Sequence, residues 1–132
     1  MVKKGKPKTT KGLATFCARV CIEKLAENVH ILDLRKIDTA PSDYFVICTC
    51  NSDTQMWALS ESIIEKCREL GIEKPKVEGL AGSYWVLLDF FDVVMHIMLP
   101  EARNFYQLEK LWGDAKFYSV DDDGKVKTYS RD

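Results

Sequence analysis

The residues best suited to chemistry lie close together in the second half of the chain: Trp85, Asp89, Asp92 and His96, with Gly82-Ser83 just ahead of them. Carboxylates and an imidazole are what a divalent cation or a proton transfer requires, so Asp89, Asp92 and His96 are candidates for a metal site or an acid–base pair. A Gly-Ser pair followed by two carboxylates also suggests a metal-dependent nucleotidyltransferase. That chemistry needs both carboxylates on one strand at i and i+2, pointing at the same metals. Asp89 and Asp92 are three apart and flank a turn, which counts against it. The plainer reading makes the aspartates turn residues and His96 a satisfied, half-buried histidine. A third reading takes this face as a protein-binding surface with Trp85 as its aromatic anchor.

Cys48-x-Cys50 places two sulfurs on one face of a strand, and Cys17 and Cys21 lie one helical turn apart. No Cys-x-x-Cys occurs, and nothing supplies a second ligand pair with zinc spacing. The five cysteines, an odd number within apolar-periodic segments, read as small buried hydrophobes in a reducing cytoplasm.

Positioning these residues falls to a chain of 132 residues, 46% hydrophobic, enough for one core and too short for two ordinary domains. Leu13, Phe16, Cys17, Val20 and Cys21 recur at helical spacing, continuing through Leu25, and predict a first helix over about 12–28. Val29, Ile31, Leu32, Leu34 and Ile37 form a β-like run. Residues 44–50 show little alternation, which predicts a central strand covered on both faces. Ser52 and Gln55 have capping-box spacing with Asp53 in the first turn. Met56, Leu59, Ile63, Ile64, Cys67 and Leu70 make the second helix's stripe, and Gly71 ends it.

A short strand near Val77 leads through a turn with Gly79 and Gly82 to two strand runs, 84–89 and 93–99, that read as a hairpin. With a two-residue loop at Phe90-Phe91, Trp85 faces His96, Leu87 faces Val94 and Asp89 faces Asp92; a four-residue loop keeps the facing pattern and shifts the pairing. Tyr84, Val86, Leu88, Val93, Met95 and Ile97 then form an apolar core face. Pro100 precedes a third helix with Phe105, Leu108 and Leu111 inward, ended by Gly113. Arg103, Tyr106, Lys110 and Trp112 point elsewhere, a hot-spot composition, although Arg103, Glu109 and Lys110 also read as a solvated charged face.

Beyond Ala115 periodicity is lost, and residues 116–132 read as a polar tail; residues 1–11 read as a disordered basic arm ahead of a domain over 12–115. The order α-β-β-α-β-β-β-α predicts an α/β, α+β-like fold: a mixed sheet of about five strands with three helices, in which strand two, helix two and strand three make a right-handed crossover.

A formal charge of −1 conceals five lysines among the first eleven residues and a remainder carrying −6. So acidic a domain repels phosphate backbones and favours a basic protein surface, leaving the arm to touch RNA nearby. The longest apolar stretch, 84–99, is interrupted by Asp89, Asp92 and His96, and falls short of the roughly 18 uninterrupted apolar residues of a membrane span. The arm has neither a secretory apolar run nor the arginines of a mitochondrial presequence, so a cytoplasmic protein is expected.

Three stretches, read together, resemble the ribosomal silencing factor (Iojap/RsfS) family: Ser42-Asp43-Tyr44-Phe45-Val46-Ile47-Cys48-Thr49; Trp85-Val86 to Asp89 with Asp92-Val93-Val94-Met95-His96; and residues 101–113, ending Leu-Glu-Lys-Leu-Trp-Gly. The resemblance covers about 12–115. It implies a nucleotidyltransferase-like fold without catalytic carboxylates, and hence no enzyme and no cofactor. It also implies docking on the large ribosomal subunit through universal large-subunit ribosomal protein fourteen, which blocks subunit joining, and a homodimer off the ribosome. Carried onto this chain, the binding surface comprises Trp85, Asp89, His96, Arg103, Tyr106 and Lys110, with Asp43 and Trp112 beside them. One departure is Phe91, where the family places Gly in the hairpin turn.

Overall fold

The computed structural model describes residues 5–79 and 84–129, so Gly82-Ser83 and the first lysines lie outside the described residues. Thr9 caps α1 (Thr10–Glu23): its hydroxyl accepts the Gly12 N–H at 2.9 Å, satisfying a donor that a helix start leaves free. The helix stops at Glu23 rather than near residue 28, because Leu25 enters the left-handed region (φ 65) and reverses the chain. Leu25 thereby leaves the apolar stripe and is exposed. β1 (Glu27–Asp33) follows, with a bulge between Glu27 and His30 where Asn28 adopts φ 49. β1 takes up only part of the apolar run, and Leu34 and Ile37 fall in the connection after it.

β2 (Tyr44–Thr49) is buried along its whole length, as its unbroken apolar character requires of a central strand. α2 (Asp53–Leu70) starts where Ser52 accepts the Gln55 N–H at 3.1 Å, while the Gln55 amide oxygen accepts the Asn51 N–H at 2.7 Å. It ends at Gly71, whose φ of 76 suits glycine. The remaining elements are β3 (Lys76–Glu78), β4 (Trp85–Asp89), β5 (Val93–Met98), α3 (Pro100–Tyr106), α4 (Leu108–Leu111), β6 (Lys116–Val120) and β7 (Val126–Tyr129).

The class is α+β with a mixed sheet of seven strands rather than about five, in the order β3-β4-β5-β2-β1-β6-β7. The extra strands come from the stretch read as a polar tail. β6 pairs antiparallel with β1 and buries Phe117 and Val120; β7 lies outside it with its polar residues at the sheet edge, and so shows little hydrophobic signal. β5 pairs in parallel with β2; β3, reached from β2 through α2, lies at the far edge and, antiparallel to β4 as β4 is to β5, runs parallel to β2, so β2, α2 and β3 make a crossover that passes over β5 and β4.

The β4–β5 hairpin pairs Asp89 with Val94, Leu87 with His96 and Trp85 with Met98, the shifted register of the longer loop. Phe91 occupies the left-handed region (φ 77) that favours glycine. Tyr84 precedes the strand and is exposed instead of joining the core face.

The sheet buries side chains on both faces. Toward α1 and α2 lie Ile31, Val46, Cys48, Val86, Leu88, Val93, Met95 and Ile97; on the other face Leu32, Phe45, Ile47, Met98 and Phe117 pack with Ala102 of α3 and Leu108 of α4. The third helix is not one helix. Gln107 takes φ 44 and separates α3 from α4, so Leu108 stays buried while Phe105 and Leu111, both expected inward, are 77% and 69% exposed.

A candidate aromatic binding face

Trp85 opens β4 on the side facing α3, and its placement is tightly set. Gly79 approaches from the end of β3, and a Cβ there would collide with the Trp85 carbonyl oxygen. The Leu99 N–H donates to the Tyr84 carbonyl at 3.0 Å, joining the entry of β4 to the N-terminus of α3. Across this junction the rings of Trp85 and Tyr106 stand 4.5 Å apart. Tyr84 and Phe105 extend the group, with centroids 6.5 and 4.9 Å from Tyr106 and a hydroxyl contact of 3.5 Å between Tyr84 and Tyr106. Tyr84, Phe105 and Tyr106 are all exposed, and Trp85 is half-buried beneath them. Such a raised plate of rings offers large contact area with little rotamer entropy to lose.

Under the plate, the Trp85 indole N–H donates to His96 Nδ1 at 3.1 Å. Nδ1 is therefore the acceptor, and the proton sits on Nε2, which is buried with no hydrogen-bond partner. Burial, and secondarily the charge of Arg103, push the His96 pKa down to about 3, so the ring is neutral. His96 is thus fully buried rather than half-buried; it supports Trp85 and packs edge-on against Phe45 at 4.3 Å.

Arg103 does not present its charge to solvent. Its guanidinium donates to Thr49 Oγ1 (2.8 Å), the Asn28 carbonyl (2.9 Å) and Glu109 Oε2 (2.6 Å). Burial alone would raise the Glu109 pKa; hydrogen bonds from His30 and Arg103, with Arg103's charge, outweigh it and hold the carboxyl at about 2. With Glu109 ionised, His30 Nδ1 carries a proton and donates to it at 2.9 Å, and the Tyr129 hydroxyl stands 3.0 Å from the same nitrogen. Glu109, read as part of a solvated face, is instead a half-buried ion-pair partner. No local pattern marks this network, because His30 and Glu109 are 79 residues apart.

The remaining candidates fall elsewhere. Lys110 is exposed on α4, and Trp112 packs half-buried against Phe45 at 6.2 Å. Asp89 closes β4 about 13 Å from Trp85 at the usual strand rise, and accepts the Phe91 N–H at 2.7 Å. Asp43 donates its N–H to the Asp92 carbonyl, so it too belongs to the hairpin-tip end. The sequence-derived set is therefore brought together at Trp85, His96, Arg103 and Tyr106, with Asp89 and Asp43 at the far end of the hairpin. Shallow hollows of about 250 and 410 Å³ lie at that tip, around Leu13, Ile72 and Phe90, away from the rings.

Asp89 ends its strand and Asp92 lies in the turn, which leaves the two carboxylates without the shared strand face that a two-metal site needs. Among the described residues no group of three or more His, Cys, Asp or Glu is placed to hold a metal. The five cysteines are all buried; a hydrogen bond with Cys21 raises the Cys48 thiol, and burial raises that of Cys17. Among the described residues no helix is long and apolar enough to cross a membrane.

Fold and face together define a class: a single-sheet α+β domain that displays a plate of aromatic rings. Residues 7–132 match the family described as "Ribosomal silencing factor during starvation", and the chain belongs to that family. It is 40% identical to ribosomal silencing factor RsfS of Bacillus subtilis (strain 168), over 84% of this chain and 93% of that one. A crystal structure of a Chromobacterium violaceum protein superposes with a TM-score of 0.74 at 30% identity, covering 80% of this chain and 88% of that one. A mouse protein named for mitochondrial assembly of the ribosomal large subunit is 36% identical over 54% of this chain and 32% of its own length.

Proposed function

We propose that this chain docks on the large ribosomal subunit through universal large-subunit ribosomal protein fourteen and keeps the small subunit from joining, repressing translation in the cytoplasm. The observation that carries the reading is the exposed Tyr84–Trp85–Phe105–Tyr106 plate on a member of the silencing-factor family. The mouse relative's name, tied to the large subunit, supports the choice of subunit.

In this reading Trp85 and Tyr106 are the anchors, Lys110 is a charged neighbour, and His96 and Arg103 act from beneath. Asp89, Asp43 and Trp112 lie at the margins of the footprint. The acidic remainder of the chain steers it toward a basic ribosomal protein, and the lysine-rich arm makes a minor contact with rRNA. Off the ribosome, the same apolar plate is available for self-association into a homodimer.

Co-sedimentation with isolated large subunits tests the proposal. Binding by the wild-type chain, with small-subunit joining reduced in proportion, is the expected result; a chain that stays in the supernatant would refute it.

A further inference from the structure

Phe105, Leu108 and Leu111 recur at helical spacing, and one continuous helix would turn all three toward the sheet. Instead the chain breaks at Gln107, and two of the three large apolar side chains face solvent. Something must hold this arrangement against the burial it forgoes.

The Arg103–Glu109 ion pair spans the break. In a continuous α-helix, positions six apart lie roughly 120° apart around the axis and about 9 Å apart along it, beyond the i, i+3 and i, i+4 spacings at which helical side chains pair. The pair at 2.6 Å therefore favours the broken form. Both partners are anchored to the sheet: Glu109 accepts from His30 of β1, while Arg103 reaches Asn28 at the β1 bulge and Thr49 at the end of β2. Tyr129 of β7 closes the cluster on the His30 side. Tyr106, three residues after Arg103 on α3, makes the 4.5 Å ring contact with Trp85.

We infer that Glu109, acting through Arg103, is a positioning residue: it holds α3 and α4 in the broken arrangement that turns Phe105, Tyr106 and Leu111 toward the partner. The inference rests on the reading that this face docks the large subunit, and it assigns to Arg103 a supporting role in place of direct contact.

The test combines a double-mutant cycle with a structural readout. Large-subunit binding is measured for the wild type, Glu109→Gln, Tyr106→Ala and the double variant. Glu109→Gln should weaken binding about tenfold in the wild-type background and much less when Tyr106 is already absent, as coupled residues behave. An equal loss in both backgrounds would mean that Glu109 only stabilises the fold, and would overturn the inference. NMR contacts between the Trp85 and Tyr106 rings are read on the wild type and Glu109→Gln without any partner. Their loss in Glu109→Gln, with core methyl signals unchanged, supports the positioning role; unchanged ring contacts overturn it whatever the binding shows. If Tyr106→Ala binds normally while the ring contacts still depend on Glu109, the docking reading fails and the positioning role stands. Should Glu109→Gln unfold the domain, Arg103→Lys replaces it, since an ammonium keeps the charge but cannot reach Thr49, Asn28 and Glu109 together.

Discussion

The indole N–H of Trp85 donates to His96 Nδ1 at 3.1 Å, so a half-exposed ring on β4 is oriented by a fully buried one on β5. The register makes this contact diagonal, because Leu87, not Trp85, lies directly opposite His96. A buried polar group serves here to aim a surface side chain, and its other nitrogen remains unpartnered.

That arrangement has a pH signature. The native His96 pKa is about 3, below its ordinary value near 6.5, so between those values the unfolded chain binds a proton that the native chain does not. Stability is therefore greatest above about pH 6.5 and falls as pH drops toward 3, by an amount on the order of several kcal/mol. Glu109, held at about 2, adds a contribution present above its ordinary carboxylate range and lost as pH falls through that range toward 2. Urea midpoints from pH 7 to pH 4 should decline for the wild type and decline less for His96→Gln; parallel curves would contradict the burial of a neutral His96.

Phe91 combines a left-handed φ of 77 with 83% exposure at the hairpin tip. Relief of the left-handed strain, about 1–2 kcal/mol for an L-residue, outweighs the greater chain entropy of glycine. Phe91→Gly should raise stability by about 0.5–1 kcal/mol in thermal melts; a loss of stability would show that the ring packs in solution.

Truncation after Ala115 removes β6 and β7, and with them the buried Phe117 and Val120 and the whole antiparallel partner of β1 on that side. At about 1.5–3 kcal/mol per large apolar side chain, the loss should exceed about 3 kcal/mol. A truncated chain with an unchanged melting temperature would mean that the C-terminal hairpin is not part of the cooperative unit.

How much could be read from sequence depends on how local each signal is. α2 was legible because Ser52, Gln55 and Gly71 carry its caps at or beside its own ends, and β2 because Tyr44 to Cys48 is apolar throughout. The β4–β5 facing pattern was legible from alternation, and only its register depended on the loop. The split of α3 from α4 was not, since the periodicity of Phe105, Leu108 and Leu111 favours one helix and the opposing Arg103–Glu109 clasp draws on His30 and Thr49 from distant strands. β6 and β7 were missed because edge strands with polar outer residues carry little hydrophobic pattern. At the candidate site, residue type and spacing singled out Trp85, His96 and Tyr106 as candidates, whereas the places of Tyr84, Phe105, His30 and Glu109 emerge only once the chain is folded.

The central claim is that the Trp85–Tyr106 plate meets the large ribosomal subunit. The most direct measurement is co-sedimentation of Trp85→Ala and Tyr106→Ala with isolated large subunits, alongside circular dichroism to verify folding. Each variant should stay folded and lose roughly 1–3 kcal/mol of binding, the range of interface hot spots. Folded variants that bind as tightly as the wild type would contradict the claim.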